Sequence, residues 1–117
     1  MSISPLVGAT RPVIISSNVV LQLPLAAQRL AQSKKYDAVI ALGCVIRGET
    51  PHDRYISMET ARGLGQAALT TGVPVLFGVL TPLNVRQARA RAGRGPSNKG
   101  AEAALAALEM AALMETF

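Results

Sequence analysis

The feature of this sequence that most constrains its fold is one apolar run followed directly by one polar segment. Residues 38–46 read AVIALGCVI, and residues 47–54 read RGETPHDR. Nine apolar or small residues rich in Val and Ile are typical of a strand buried on both faces, as in a parallel sheet. In open α/β sheets, ligands bind just beyond the carboxyl ends of the strands. The polar segment is therefore where we expect a functional site.

The rest of the pattern predicts alternating strands and helices. Residues 1–12 are expected to form a loosely ordered arm, and residues 18–23 are ambiguous because β-type residues lie directly before Pro24, which suits the first turn of a helix. Helical connections between buried strands predict a single α/β domain with helices on both faces of a parallel sheet. The expected strands cover residues 13–16, 38–46 and 73–80, and the expected helices cover residues 25–32, 56–71, 82–91 and 98–114.

Details of the last three helices also follow from the pattern. Gly72 fits the position just past the C-terminus of its helix, where a left-handed backbone is common. Thr81 is the expected N-cap of the next helix. Helical spacing places one face of the helix at 56–71 along Met58, Ala61, Leu64, Gly65, Ala68 and Leu69. The same spacing places an inward face on the last helix, formed by Ala101, Ala104, Leu105, Leu108 and Ala112.

The amino-acid composition indicates what broad class of protein this chain belongs to. Half of the residues are apolar and 16% are charged, which predicts a globular domain and not a disordered chain. Aromatic side chains are scarce, so one domain buries limited area and oligomerisation is favoured. The single Cys44 excludes an internal disulfide and favours a cytoplasmic setting. No apolar stretch approaches the ~20 residues of a membrane span, so we expect no membrane partner.

The net charge of +5 is concentrated late in the chain. Such a basic patch suits an anion, either a small phosphate or a nucleic acid backbone, although a solvated face explains most of its members equally simply. No nucleic-acid-reading motif or aromatic platform accompanies it, so we expect no nucleic acid partner. The patch lies between residues 86 and 99, without an acidic residue, and comprises Arg86, Arg89, Arg91, Arg94 and Lys99.

Other classes of site are disfavoured by what the sequence lacks. It contains no GxGxxG after a strand and no GxxxxGK[ST], which argues against dinucleotides and nucleoside triphosphates. It also has no second histidine, no cysteine pair and no carboxylate cluster with ligand spacing, so we expect no metal. Cys44 as a nucleophile would need a partner base that the sequence does not indicate.

His52 is the strongest single candidate for chemistry. An imidazole can donate and accept protons at neutral pH, and the polar neighbours of His52 favour this role over a surface or capping histidine. Glu49 and Thr50 follow Gly48 in a segment whose backbone N–H groups could cradle an anion, although an ordinary turn is the simpler interpretation. Arg91 and Lys99 flank a glycine-rich loop before a helix, which is a second natural anion site.

Three motifs closely resemble the lumazine synthase family. They are IALGCVIRGETPH at 40–52, TTGVPVLFGVLT at 70–81 and ARAGRGPSNKGAEAA at 90–104. The resemblance extends over about residues 20–112 and implies a flavodoxin-like, three-layer α/β/α sandwich with a parallel sheet. It also implies a transferase of riboflavin biosynthesis, a 6,7-dimethyl-8-ribityllumazine synthase. Such an enzyme condenses 5-amino-6-ribitylamino-uracil with 3,4-dihydroxy-2-butanone 4-phosphate, without a cofactor or metal.

The resemblance also implies roles for individual residues. His52 matches the proton donor of the family, Glu49 and Thr50 match its phosphate loop, and Arg91 matches the arginine that reaches the same phosphate. The family's pockets lie between subunits of a homopentamer, which some members assemble into a larger shell. The residues that match the pocket for the uracil and its ribityl chain are Val20, Leu21, Gln22, Cys44, Val45, Ile46 and Phe77.

The chain departs from the family pattern in two ways. Leu21 stands where the family stacks an aromatic ring, and Gln22 stands where it usually carries glutamate. The front of the chain is also shorter, so residues 13–17 are either the family's second strand or a remnant of its first. The second interpretation is favoured, because the family's first strand is central and the sheet then stays contiguous. Because part of the pyrimidine pocket would be missing, the alternative function is a truncated or degenerate homologue that assembles or binds ligand without catalysis.

Overall fold

The computed structural model describes residues 2–5, 11–17, 19–48, 51–93 and 98–117. Within these ranges, strands and helices alternate from the second strand onwards. In chain order the elements are β1 (Ser2–Pro5), β2 (Pro12–Ser16), a 3₁₀ turn (Val20–Gln22), α1 (Leu23–Gln32), β3 (Ala38–Cys44), α2 (His52–Thr71), β4 (Val75–Leu80), α3 (Val85–Ala92) and α4 (Lys99–Glu115).

The four strands form one sheet in the order β1-β2-β3-β4. β2, β3 and β4 are parallel, with Ile14 beside Ile40 and Leu42 beside Gly78. Parallel neighbours need a crossover connection, and α1 and α2 supply the two that this sheet requires. The predicted α/β class with a parallel sheet is therefore confirmed. Because β2 pairs directly with β3, the sheet is contiguous, as expected if residues 13–17 stand in for the family's first strand.

The N-terminal strand β1 differs from the loosely ordered arm expected over residues 1–12. Ser2–Pro5 pair antiparallel with β2, so that Ser2 lies opposite Ser16 and Pro5 opposite Val13. Four residues reading SISP are too short and too mixed for a periodicity argument, and their pairing depends on a partner strand further along the chain. Pro12 also belongs to β2 and not to an arm. β1 therefore covers the β2 edge of the sheet.

Two clusters of buried side chains lie on opposite faces of the sheet, because alternate residues of a strand point to opposite sides. α1 and α2 pack over one face, and α4 packs over the other, which confirms the three-layer arrangement. The first cluster contains Val13, Ile15, Val20, Leu23, Ala27, Ala31, Val39, Ala41, Leu64 and Val79. The second contains Ala38, Ile40, Ala103 and Ala107.

The beginnings of α2 and α3 differ most from the prediction. α2 begins at His52, one turn before Ile56, and ends at Thr71; the φ of 73° at Gly72, the next residue, confirms the expected left-handed cap. α3 begins after Asn84, and the prediction of Thr81 as its N-cap is wrong. The Asn84 side chain accepts a hydrogen bond from the Gln87 N–H at 2.9 Å, and the Gln87 side chain accepts one from the Leu83 N–H at 2.8 Å. These two bonds satisfy two backbone N–H groups at a start after Asn84, whereas the hydroxyl of Thr81 could satisfy only one as an N-cap.

The buried faces of α2 and α4 also differ from the predicted ones. α4 buries Ala103, Ala107 and Ala111, whereas Leu105 is 64% exposed and Leu108 is 45% exposed. Small alanine side chains allow the helix to lie close to the sheet, so the leucines fall on other sides of the helix. On α2, Leu64 is buried as predicted, whereas Met58 and Leu69 are exposed. Large apolar side chains therefore remain uncovered on both helix layers.

Gly63 and Gly65 of α2 should respond in opposite ways to replacement by alanine. A Cβ at Gly63 would lie only 2.7 Å from Pro24 Cβ of α1, whereas a Cβ at Gly65 would meet nothing within 4 Å. We expect Gly63→Ala to lower the free energy of unfolding by ~1–3 kcal/mol through overpacking. Gly65→Ala should raise it by ~0.5–1 kcal/mol, because alanine favours a helix over glycine.

Urea unfolding of both variants at one protein concentration measures this difference. Gly65→Ala serves as the matched control for the general effect of alanine within the same helix. Changes of the same sign and size at both positions would show that α1 does not restrict Gly63.

Candidate active site

The polar segment after β3 is held beside the end of β4 by backbone hydrogen bonds. The Val45 N–H donates to the Leu80 carbonyl at 2.8 Å, and the Arg47 N–H donates to the Pro82 carbonyl at 3.0 Å. The segments that follow β3 and β4 thus stay hydrogen-bonded to each other beyond the carboxyl ends of the two strands. Val45 packs against the larger buried cluster, while Ile46 is exposed. The segment therefore lies at the carboxyl edge of the sheet, where the sequence predicted a site.

The 3₁₀ turn lies against the same end of β3. Val20 is buried, and a Cβ at Gly43 would lie 3.2 Å from the Val20 Cγ2 atom. Glycine at position 43 therefore leaves the space that Val20 occupies. Leu21 and Gln22 follow within this turn and are both exposed. Within the ambiguous segment, Val20–Gln22 thus form a 3₁₀ turn and not a strand, and this turn presents two side chains near the carboxyl ends of the strands.

A cleft of about 560 Å³ runs along the free edge of β4. Phe77, 45% exposed, lines it from the strand, Arg91 lines it from the last turn of α3, and Lys99 and Glu102 line it from the first turn of α4. The Lys99 Nζ atom lies 3.1 Å from a carboxylate oxygen of Glu102. Among the described residues Arg91 forms no ion pair. The cleft therefore offers an arginine to an anion next to an exposed aromatic ring.

A smaller cavity brings Cys44 and Arg91 together. Its volume is about 300 Å³, and Asn98 and Gly100 also line it from the start of α4. Cys44 is the last residue of β3 and is exposed. Arg91 thus borders both this cavity and the β4 cleft, so it connects the end of the central strand with the free edge of the sheet.

His52 is exposed at the first position of α2. Its neighbours in sequence line another cavity, of about 500 Å³, with Arg47, Gly48 and Pro51 on one side and Thr81 on the other. Thr81 borders the β4 cleft as well. Glu49 and Thr50, predicted as the phosphate loop, lie outside the described residues, as does Arg94. Of the predicted site residues, Cys44, Phe77 and Arg91 line these cavities, whereas His52 lies between two residues that line one and does not line it itself.

Asn98 is the residue that the sequence argument missed. It was predicted only as the start of the last helix, and it is the N-cap of α4. Its side chain also contacts the end of α3, beside Arg91. An asparagine directly before a helical pattern indicates a cap. A second contact to a helix earlier in the chain has no local signal in the sequence.

Within the described ranges, two further kinds of feature are absent. No helix in this part of the chain is long and apolar enough to cross a membrane. No group of three or more His, Cys, Asp or Glu side chains among these same residues is placed to hold a metal ion.

The three parallel strands, with cavities at their carboxyl ends, form the arrangement in which open α/β sheets generally bind ligands. Comparison with known families gives a match between residues 7–115 and the sequence model of 6,7-dimethyl-8-ribityllumazine synthase. The match covers nearly the whole chain of 117 residues. The chain therefore belongs to the lumazine synthase family, a family of transferases in riboflavin biosynthesis, as the three sequence motifs predicted.

Proposed function

We propose that this protein is an active 6,7-dimethyl-8-ribityllumazine synthase, working as a single domain that condenses 5-amino-6-ribitylamino-uracil with 3,4-dihydroxy-2-butanone 4-phosphate. The observation that carries the proposal is the family match over residues 7–115. The reaction needs a group that binds phosphate and a group that transfers protons. Arg91 in the β4 cleft and His52 at the carboxyl ends of the strands supply these two functions.

The phosphate grip is assigned to Arg91, together with the segment that contains Glu49 and Thr50. A guanidinium group binds phosphate oxygens through two parallel hydrogen bonds, which fixes the orientation of the substrate as well as its affinity. Arg91 is half-buried and lines two of the cavities, so its side chain is available at the edge of the sheet. Held by its phosphate, the butanone presents its carbonyl to the uracil amine.

The proton carrier is assigned to His52. The amine nitrogen attacks the carbonyl carbon and water leaves, giving an imine; phosphate is then eliminated, and ring closure releases a second water. Each of these steps moves protons to or from a leaving group, which a positioned imidazole can do in both directions. The uracil and its ribityl chain are assigned to Val20, Leu21, Gln22, Cys44, Val45, Ile46 and Phe77.

We propose further that the pocket is shared between copies of this chain in a homopentamer or a larger shell. Large exposed apolar patches on a protein surface often mark protein interfaces, and this chain has such side chains on its outer strand and on its helices. The exposed Phe77 lies on β4, the outer strand of the sheet, where no strand of the described chain covers it. The exposed apolar side chains on the helix layers include Tyr55, Met58, Leu69, Leu105 and Leu108.

If His52 and Arg91 of one pocket come from different copies, two defective variants should restore activity to each other. His52→Ala and Arg91→Ala subunits are mixed in equal amounts, unfolded and reassembled, and lumazine formation is measured at a low concentration of the butanone phosphate. Random mixing in a ring leaves about a quarter of the pockets with both residues intact. Reassembly of each variant alone is the control.

Activity near the mean of the two single variants would contradict a shared pocket. In that case both residues would act within one copy, because each subunit in the mixture would still carry one of the two defects.

A further inference from the structure

One side chain, that of Asn98, joins the end of α3 to the beginning of α4. Its Oδ1 atom accepts a hydrogen bond from the Ala101 N–H at 2.8 Å. Its Nδ2 atom donates to the Gly93 carbonyl at 2.7 Å and to the Ala92 carbonyl at 3.2 Å. Both amide hydrogens and the amide oxygen are therefore engaged. Capping α4 requires only the oxygen, so the two donated bonds serve another purpose.

Those two bonds go to a helix that has little other support. None of the eight residues of α3, all within the described range 51–93, is buried. Its N-terminal end is held by the side chains of Asn84 and Gln87, which accept from the backbone N–H groups of Gln87 and Leu83. At the C-terminal end, the last carbonyls of a helix lack partners within the helix. Asn98 satisfies two carbonyls there and ties them to α4, which is anchored on the sheet by Ala103 and Ala107.

Arg91 is the residue directly before Ala92, whose carbonyl Asn98 holds. Arg91 and Asn98 also line the same small cavity, together with Cys44. A displacement of about 1 Å in a group that positions a substrate is enough to lower its contribution strongly. We propose that Asn98 is a positioning residue, which holds the last turn of α3 so that the Arg91 guanidinium stays in the cleft. This inference rests on the proposed role of Arg91 in binding phosphate.

The competing interpretation is that Asn98 only caps α4. Replacement of Asn98 by serine separates the two roles, because serine caps a helix about as well as asparagine but has no amide to donate to the two carbonyls. Serine also adds no charge near the anion. Asn84→Ser is the matched control, since Asn84 accepts from the Gln87 N–H at 2.9 Å as the N-cap of α3. A capping role alone would give both variants the same phenotype.

The experiment measures the affinity of the assembled full-length protein for inorganic phosphate by calorimetry, and the KM for each substrate. We expect Asn98→Ser to weaken phosphate binding by about 10-fold, because the last turn of α3 is no longer held and the Arg91 guanidinium shifts from its position in the cleft. The KM for the butanone phosphate should rise with it, while the KM for the uracil substrate should match that of Asn84→Ser.

The same measurements in an Arg91→Ala background complete the test. Because Asn98 acts through Arg91, Asn98→Ser should cause no further loss of phosphate affinity there. Equal losses with and without Arg91, or no loss in the single variant, would overturn the positioning role. Undiminished phosphate binding by Arg91→Ala alone would instead refute the proposed function of Arg91, so the two failures are distinguishable.

Discussion

Replacing His52 with alanine should slow the formation of the lumazine by ~10²- to 10⁴-fold, the usual contribution of a positioned general acid or base. His52 is the only histidine of the chain and is exposed at the first position of α2, at the carboxyl edge of the sheet. An exposed side chain with few packing contacts changes stability little when it is removed. The loss should therefore appear in kcat at saturating concentrations of both substrates, while assembly and melting temperature stay as in the parent protein.

Asp53→Asn is the matched control for the His52 prediction. It alters the charge of the next residue in the same helical turn and leaves the imidazole in place. We expect its kcat to stay within a few-fold of the parent value. A His52→Ala variant with an unchanged kcat would remove His52 from the mechanism. A similar loss in both variants would show that the end of α2, and not the imidazole, is what the reaction needs.

Replacing Arg91 with alanine should raise the KM for the butanone phosphate by ~10- to 100-fold, since hydrogen bonds to a charged group are worth about 1.5–3 kcal/mol. The KM for the ribitylamino-uracil should change little. Arg91 lines the β4 cleft and the Cys44 cavity and forms no ion pair within the described part of the chain, so its guanidinium is available to the phosphate.

Arg89→Ala is the control for the charge of the same helix. Arg89 is exposed two residues earlier in the last turn of α3 and does not line the β4 cleft. Steady-state kinetics with each substrate varied in turn compares the two variants. Equal increases in KM for both substrates, or equal effects of the two arginines, would contradict the assignment of Arg91 to the phosphate.

The central strand and its crossovers could be predicted from the sequence because their signals are local. The run at 38–46 is too continuously apolar for a half-exposed strand, and the helical segments on either side impose a parallel sheet. β1 could not be predicted in this way. Its four residues carry no periodic pattern, and they form a strand only because β2 offers an edge with unpaired backbone groups.

The buried face of α4 shows a second limit of sequence reasoning. Leu105 and Leu108 are more apolar than Ala103 and Ala107, so periodicity alone places the leucines inward. The sheet selects the alanines, because a helix packs closely through small side chains. A sequence with two apolar sides on one helix does not say which side faces its own sheet and which faces another copy. We infer that the leucines serve the proposed assembly.

Some parts of the candidate site have a local signal in the sequence and others do not. The polar segment containing His52 could be located from the sequence, because it follows the strongest strand signal of the chain. The proximity of Arg91 to Cys44 and Asn98 could not be predicted from local signals, since it depends on how α3 and α4 lie against the end of the sheet. Phe77 could be assigned to the pocket only through the family resemblance, since a phenylalanine inside a strand is more often part of the core; its place on the outer strand exposes it.

The most direct test of the account is an assay of the purified protein with both substrates, following the lumazine by its absorbance and fluorescence. We predict product formation well above the uncatalysed background, with Leu21 and Gln22 tolerated in the uracil pocket. No product from a folded and assembled protein would contradict the account. It would favour the alternative, a homologue that assembles or binds ligand without catalysis.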